Sequence, residues 1–154
     1  MPNMRQPTFD ANIAPASERD YGDVIALLDA ASLPTEDLER SSMAHFLVAR
    51  DGSGKVIGAI GVERYGRTAL LRSLVVAPEH RNRELGTRLV AEIEARCRSL
   101  AVADLFLLTT TARDFFARQR FQAIGRESVP IELRTAAEFT RLCPGSAVCM
   151  TKSL

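Results

Sequence analysis

The stretch LRSLVVAPEHRNRELGTRL, residues 71–89, decides the reading of this chain. Its first half is an apolar run that ends at Pro78. Its second half changes period, because Leu85, Leu89, Ile93 and Cys97 recur every four residues, with Val90 and Leu100 close to the same face. A buried strand therefore enters an Arg-rich turn and passes directly into an amphipathic helix. The first turn of a helix leaves backbone N–H groups without intrahelical partners and carries the positive end of the helix dipole, so this turn suits an anion. A diphosphate satisfies several such amides at once, and Arg81, Arg83 or Arg88 can add charge-assisted bonds. The plain alternative is an empty helix start that joins two core elements. No GxGxxG opens this helix and no GxxxxGK[ST] occurs in the chain, which disfavours dinucleotide-binding and P-loop readings.

Working outward, strands and helices alternate. A first strand is expected at residues 8–13, and the Ser17 to Asp20 spacing is a capping box that opens a helix with Tyr21, Val24, Ile25 and Leu28 on one face. Pro34 ends that segment, and Asp37 is the expected start of a second, short helix. Residues 45–50 read as a strand, DGSG at 51–54 as a hairpin turn, 55–63 as its return strand, and Tyr65 with Gly66 as a second turn into a strand over 68–78. After the amphipathic helix, residues 103–110 read as a buried strand parallel to the one before it, a right-handed crossover. A short helix over 112–119, capped through Thr111 and Asp114, a strand at 122–126, a helix at 136–142 opened by Thr135 and Glu138, and a strand at 147–152 complete the chain. The fold class is α/β, a mixed central sheet of six or seven strands with helices on its faces.

A chain of 154 residues is expected to form one domain over 1–154 and to hide about 68–70 % of its unfolded surface, enough for a core without metal or disulfide staples. Twenty basic and nineteen acidic residues leave a formal charge of +1, so no whole-molecule field draws it to nucleic acid or anionic lipid. Cys97, Cys143 and Cys149 are too few and too spread for a secreted disulfide framework. With no membrane-length apolar stretch and no signal-like start, the expected location is the cytoplasm.

Residues Arg81, Asn82, Arg83, Glu84, Leu85 and Gly86 resemble the coenzyme A pyrophosphate signature of the GCN5-related N-acetyltransferase (GNAT) family. Leu74, Val75, Val76 and Pro78 resemble its preceding strand and strand exit, and TARDFFARQRF at 111–121 resembles its second conserved segment. More narrowly, LPTEDL at 33–38, LLRSLVVAP at 70–78, LLTTTARDFFAR at 107–118 and CPGSAVCM at 143–150 resemble small acetyltransferases found with bacterial arsenic-resistance genes. The resemblance implies a splayed pair of parallel strands, acetyl-CoA as acetyl donor, and a cofactor site made of Leu74, Val75, Val76, Arg81, Asn82, Arg83, Glu84, Leu85, Gly86, Thr87 and Phe116. Three positions depart from the pattern. Glu84 stands where the signature favours Gly, so a carboxylate lies near the expected phosphates unless it points outward or pairs with Arg81 or Arg88. Arg120 replaces the usual Gly at a left-handed helix exit, and Phe116 replaces a frequent Tyr that protonates the departing thiolate.

The implied mechanism is direct attack of a neutral amine on the thioester in a ternary complex, between the strands ending near Val76 and Thr110. A backbone N–H at Val75 or Val76 would polarise the acetyl carbonyl. Glu63, at the end of an apolar strand, is the candidate base, its alternative being a charge facing solvent. Arg72 sits within an apolar run and is read with Ser73, Thr109, Thr110 and Thr111 as a clamp on a substrate carboxylate; its alternative is an internal ion pair, for example with Glu63. With Phe116 in place of Tyr, Tyr21, Tyr65 or water is left to protonate the thiolate. His45 and His80 read as ordinary surface or loop residues, and Cys97 as core. Three convergent thiolates could hold arsenite or a soft metal, but the spacing shows no compact metal motif, and no metal is expected. The leading reading is an N-acetyltransferase for a small amino-acid-like amine. An acyl-CoA-binding regulatory or arsenite-sensing module without efficient turnover, and an interaction domain dimerising through the final strand, are the alternatives.

Overall fold

The computed structural model describes residues 11–81, 84–136 and 145–154. Seven strands form one mixed sheet: β1 Asn12–Pro15, β2 Phe46–Arg50, β3 Val56–Tyr65, β4 Thr68–Val76, β5 Asp104–Thr109, β6 Gln122–Ile124 and β7 Val148–Ser153, in the order β1-β2-β3-β4-β5-β7-β6. All neighbours are antiparallel except β4 and β5. The helices are α1 Tyr21–Ala30, α2 Leu85–Ser99, α3 Arg113–Arg118 and α4 Ile131–Arg134.

The two-residue alternation of the strands divides the core. On one face Ala69, Leu71, Leu105 and Leu107 pack against Leu85, Leu89, Ile93 and Cys97 of α2. On the other, Phe46, Val48 and Ala59 meet Val24 and Leu28 of α1, while Leu70, Phe106 and Cys149 form a separate cluster with Leu133 of α4. The gap between those two clusters is the ground on which the polar site described below is built.

Local signals produced most boundaries. The capping box at Ser17 and Asp20 is present, with the Ser17 N–H donating to Asp20 Oδ2 at 2.8 Å. Helix α3 leaves through Arg120 in the left-handed region, φ 73°, and the Phe121 N–H closes it onto the Phe116 carbonyl at 3.0 Å. Several expectations are corrected. The first strand occupies Asn12–Pro15, and residues 8–10 of the expected strand lie outside the described residues. No helix starts at Asp37; a 3-10 segment begins at Arg40, boxed by Glu39 and Ser42, and Asp37 is drawn away to an arginine. The amide before α3 is met by the Thr109 hydroxyl, 2.9 Å from the Ala112 nitrogen, rather than by Thr111. Helix α4 was not anticipated, and the helix expected at 136–142 falls largely on residues 137–144, outside those described.

Candidate functional site

Strands β4 and β5 pair over three positions only, Thr68 with Asp104, Ala69 with Leu105 and Leu70 with Phe106. Beyond Leu70 they part, and the opening is a cavity of about 700 Å³. One wall runs from Leu71 to Val76, the other from Leu107 to Ala112, and residues 30–34 after α1 close one side.

A bulge shapes the first wall. Ala59 of β3 faces Val75 while Gly61 faces Arg72, so Ile60 alone opposes both Ser73 and Leu74. Ser73 takes φ 60°, a left-handed conformation at which a non-Gly side chain is strained. The bulge reverses the strand's facing: Ala69 and Leu71 look toward α2 before it, and after it Val75 joins the α1 cluster while Leu74 and Val76 lie against the α2 cluster. The Ala77 N–H pairs back to Ile57 at 2.8 Å, so by alternation the N–H and C=O of Val76 face the gap. The Arg81 Nε donates to that Val76 carbonyl at 3.2 Å.

Helix α2 begins four residues after Arg81, which lines the cavity; Glu84, Leu85, Gly86 and Thr87 themselves do not line it. Its N-cap, Glu84, is left-handed at φ 60° and supplies no side-chain cap, so the residue at the Gly-favouring position does adopt the conformation Gly would adopt freely. Glu84 is exposed, and among the described residues no ion pair reaches it; Arg88 donates instead to the Ala11 carbonyl at 2.9 Å. Leu85 is anchored in the core, Gly86 follows in the first turn, and the Thr87 hydroxyl accepts from Gln119 Nε2 at 3.1 Å. Asn82 and Arg83 lie outside the described residues.

Arg72 is the most committed side chain of the site, 1 % exposed. Its Nη1 donates to Asp37 Oδ2 and to Glu63 Oε1 at 2.8 Å, its Nη2 to Asp37 Oδ1 at 3.0 Å, and its Nε to the Ser73 hydroxyl at 2.9 Å. The other Glu63 oxygen accepts from the Tyr65 hydroxyl at 2.7 Å. Burial, and then the neighbouring Glu63 carboxylate, hold the Tyr65 phenol above its usual pKa. A guanidinium at this depth would cost several kcal/mol unpaired. The internal ion pair with Glu63 is thus present, and Asp37, 35 residues away in sequence, is the partner that reading the chain missed. An Arg inside an apolar strand signals that some carboxylate must come to it without saying which.

Of the residues singled out in the sequence, Arg72, Ser73, Leu74, Val75, Val76, Arg81, Thr109, Thr110 and Phe116 line the large cavity. Glu63 does not; it lines an adjoining space of about 210 Å³ with Asp37, Ser42, His45 and Arg72, so the two cavities meet at Arg72. Phe116 is buried, edge-on to Phe115 and Phe121 at 5.1 and 5.6 Å. Neither alternative phenol is free: Tyr21 donates to the Leu38 carbonyl at 3.0 Å and Tyr65 to Glu63. The thiols of Cys97 and Cys149 belong to clusters on opposite faces of the sheet, and burial pushes both pKa values up, that of Cys149 to about 11. These two do not converge on one ion, Cys143 lies outside the described residues, and no group of His, Cys, Asp and Glu suited to a metal occurs among those described.

Comparison with known proteins agrees with this geometry. Residues 42–123, more than half of the chain, match the acetyltransferase (GNAT) domain model. The amino-acid acetyltransferase of Azotobacter vinelandii is 35 % identical over 95 residues, which are 62 % of this chain and 22 % of that protein; its Aeromonas salmonicida counterpart is 31 % identical over 99 residues, 63 % and 22 %. The chain thus spans about a fifth of the length of these relatives. Among solved structures, N-acetylglutamate synthase from Neisseria gonorrhoeae, complexed with coenzyme A and N-acetyl-glutamate, superposes with a TM-score of 0.82 at 19 % identity, covering 94 % of this chain and 35 % of that one. Rv2747 from Mycobacterium tuberculosis, in a complex containing CoA, gives 0.79 at 22 % identity over 93 % and 99 %. By its domain match over residues 42–123, and with the parted β4–β5 pair, the chain belongs to the GNAT family of acetyltransferases.

Proposed function

We propose that this chain is an N-acetyltransferase that moves the acetyl group of acetyl-CoA to the amine of a small, amino-acid-like acceptor. The observation that carries the reading is the parting of β4 from β5 after Leu70, which leaves a cavity of about 700 Å³ lined by both strands and by Arg81, four residues before α2. Free amides at the start of α2 take the diphosphate, and Arg81, Asn82, Arg83, Glu84, Leu85, Gly86 and Thr87 are the residues assigned to it. The pantetheine arm and thioester lie along Leu74, Val75 and Val76 and beside Phe116.

The acceptor enters from the side of residues 30–34, near Ser73, Thr109 and Thr110. Its nitrogen attacks the thioester carbon; the C–N bond forms, the C–S bond breaks, and the sulfur leaves as thiolate. The Val76 N–H, facing the gap, stabilises the oxyanion, a contribution worth about 3–4 kcal/mol for a well-placed donor. Holding amine and thioester together makes the encounter unimolecular. The amine's proton passes through water to Glu63, and the thiolate takes its proton from water, since Phe116 has none and both candidate phenols are engaged. Arg72 holds an anionic group of the acceptor.

The short motifs at 33–38, 70–78, 107–118 and 143–150 favour a place among the acetyltransferases found with arsenic-resistance genes. No helix among the described residues is long and apolar enough to cross a membrane, and the near-neutral charge fits a cytoplasmic enzyme of one domain without nucleic-acid or membrane partners, alone or as a homodimer. Buried Phe116 and the exposed Glu84 carboxylate favour the second reading, a coenzyme-binding module without efficient turnover.

Thiol release from acetyl-CoA with a panel of amino acids and small amines tests the proposal. An acetylated product identified by mass supports it. Saturable coenzyme binding without release across the panel supports the second reading, and absence of binding removes both.

A further inference from the structure

The segment after α1 reaches over the acceptor end of the cleft. Residues 31–34 form part of the cavity wall, and three residues later Asp37 grips Arg72 through both carboxylate oxygens. The Pro34 carbonyl adds a contact to Nη2 at 3.5 Å. Arg72 therefore ties this loop to β4 directly beside the Ser73 bulge.

Arg72 and Arg81 are the only cations among the described residues that line the cavity, and Arg81 is turned to the Val76 carbonyl at the coenzyme end. Any anionic group at the acceptor end must therefore deal with Arg72, which already serves two carboxylates. Adding a third would place three negative charges on one guanidinium, with repulsion strengthened by the low dielectric of the site. Replacing one leaves the charge count unchanged.

The two present partners are not equivalent. Glu63 extends from β3 and is fixed by a second bond, to the Tyr65 hydroxyl. Asp37 comes from a loop, and it also borders the 210 Å³ space in which Ser42 and His45 offer a displaced carboxylate polar company.

We propose that Asp37 is a built-in occupant of the acceptor-carboxylate position on Arg72, and that an incoming carboxylate displaces it, so that acceptor binding releases the 31–39 loop from β4. The proposal rests on the reading of the cleft as an acetyl-transfer site and assigns Asp37 a specificity role. A carboxylate acceptor trades one ion pair for another. A carboxamide of the same shape cannot make that trade.

The test uses the whole protein and four probes, L-glutamate, L-methionine and their α-carboxamides. Amide hydrogen exchange over residues 31–39 should speed up with either amino acid and stay unchanged with either carboxamide. In Asp37→Asn the same amides should exchange fast without any probe. The KM for the amino acids should then fall about fivefold, because the closed fraction no longer discounts affinity, while that for the carboxamides should move less than about twofold. Wild-type exchange indifferent to both amino acids overturns the proposal, and this readout does not depend on the variant folding. A rise of KM for acids and amides alike in Asp37→Asn also overturns it, since a merely structural loop contact predicts that. If no probe is acetylated yet the wild-type loop still answers to carboxylates only, acetyl transfer to these acceptors fails and the exchange on Arg72 stands.

Discussion

Lys152→Met probes the joint that holds the coenzyme side of the cleft together. Lys152 of β7 places Nζ 2.9 Å from both oxygens of Glu94 on α2 and 3.0 Å from the Gln119 carbonyl at the end of α3, with the Phe121 ring 5.7 Å away. Glu94 is 5 % exposed. Stripping the partner from a buried carboxylate costs about 3–5 kcal/mol. Arg98, one helical turn on at 3.7 Å and mostly exposed, recovers only about 0.3–0.5 kcal/mol. Loss of the bond to the Gln119 carbonyl adds about 1 kcal/mol. The single variant should therefore lose about 3.5–5.5 kcal/mol, a large part of the 5–15 kcal/mol typical of a domain. Glu94→Leu combined with Lys152→Met removes both charges and should return to within about 1–2 kcal/mol of the parent. Urea unfolding at pH 7, followed by circular dichroism with unchanged slope, measures all arms of the cycle. A Lys152→Met loss below about 1 kcal/mol, or a double variant whose losses simply add, would refute the reasoning.

Three further outcomes follow from the same geometry. Ala101 ends α2 at φ 63° with the Val102 N–H on the Cys97 carbonyl, so Ala101→Gly relieves about 1–2 kcal/mol of left-handed strain against about 0.4–1 kcal/mol of added chain entropy, and thermal melting should rise by about 2 °C. Burial pushes the Cys149 thiol up to about 11 against 9.0 when exposed, so the unfolded chain gives up its proton first; this thiol's contribution to stability should be constant below pH 9 and be lost as pH rises from 9 to 11, and Cys149→Ala should lessen, without abolishing, the alkaline fall in pH-dependent urea melts, since the Cys97 thiol is raised too. Glu84→Gln removes an exposed carboxylate at the start of α2, and calorimetry should show acetyl-CoA binding tightened about threefold at low salt, with the gain fading in 0.5 M salt.

The elements written in local chemistry were legible. The four-residue recurrence of Leu85, Leu89, Ile93 and Cys97, the Asp51–Gly54 hairpin and the Ser17 cap each depend on a few neighbouring residues, and each stands in the structure. Arg120 was read as a left-handed exit because it stands where the resembled family has Gly before Phe121, and it takes φ 73°. What remained hidden depends on contacts distant in sequence. No periodicity announces that β4 carries one residue too many at Ser73, since the bulge exists only relative to β3. The commitment of Arg72 was foreseen in kind, yet Asp37 was read as a helix start because a lone Asp after a Pro is a good cap, and the buried guanidinium outcompeted that local preference. Helix α4 has only four residues, IELR, too few for a period to show.

The account stands most directly on where acetyl-CoA touches the chain. In a ¹⁵N-resolved NMR titration with acetyl-CoA, the amides of Leu74, Val75 and Val76 and those of Leu85, Gly86 and Thr87 should show the largest saturable shifts, appearing together as one binding event. Saturation with the β4 amides unmoved, or with shifts concentrated away from the parting of β4 and β5, would contradict it.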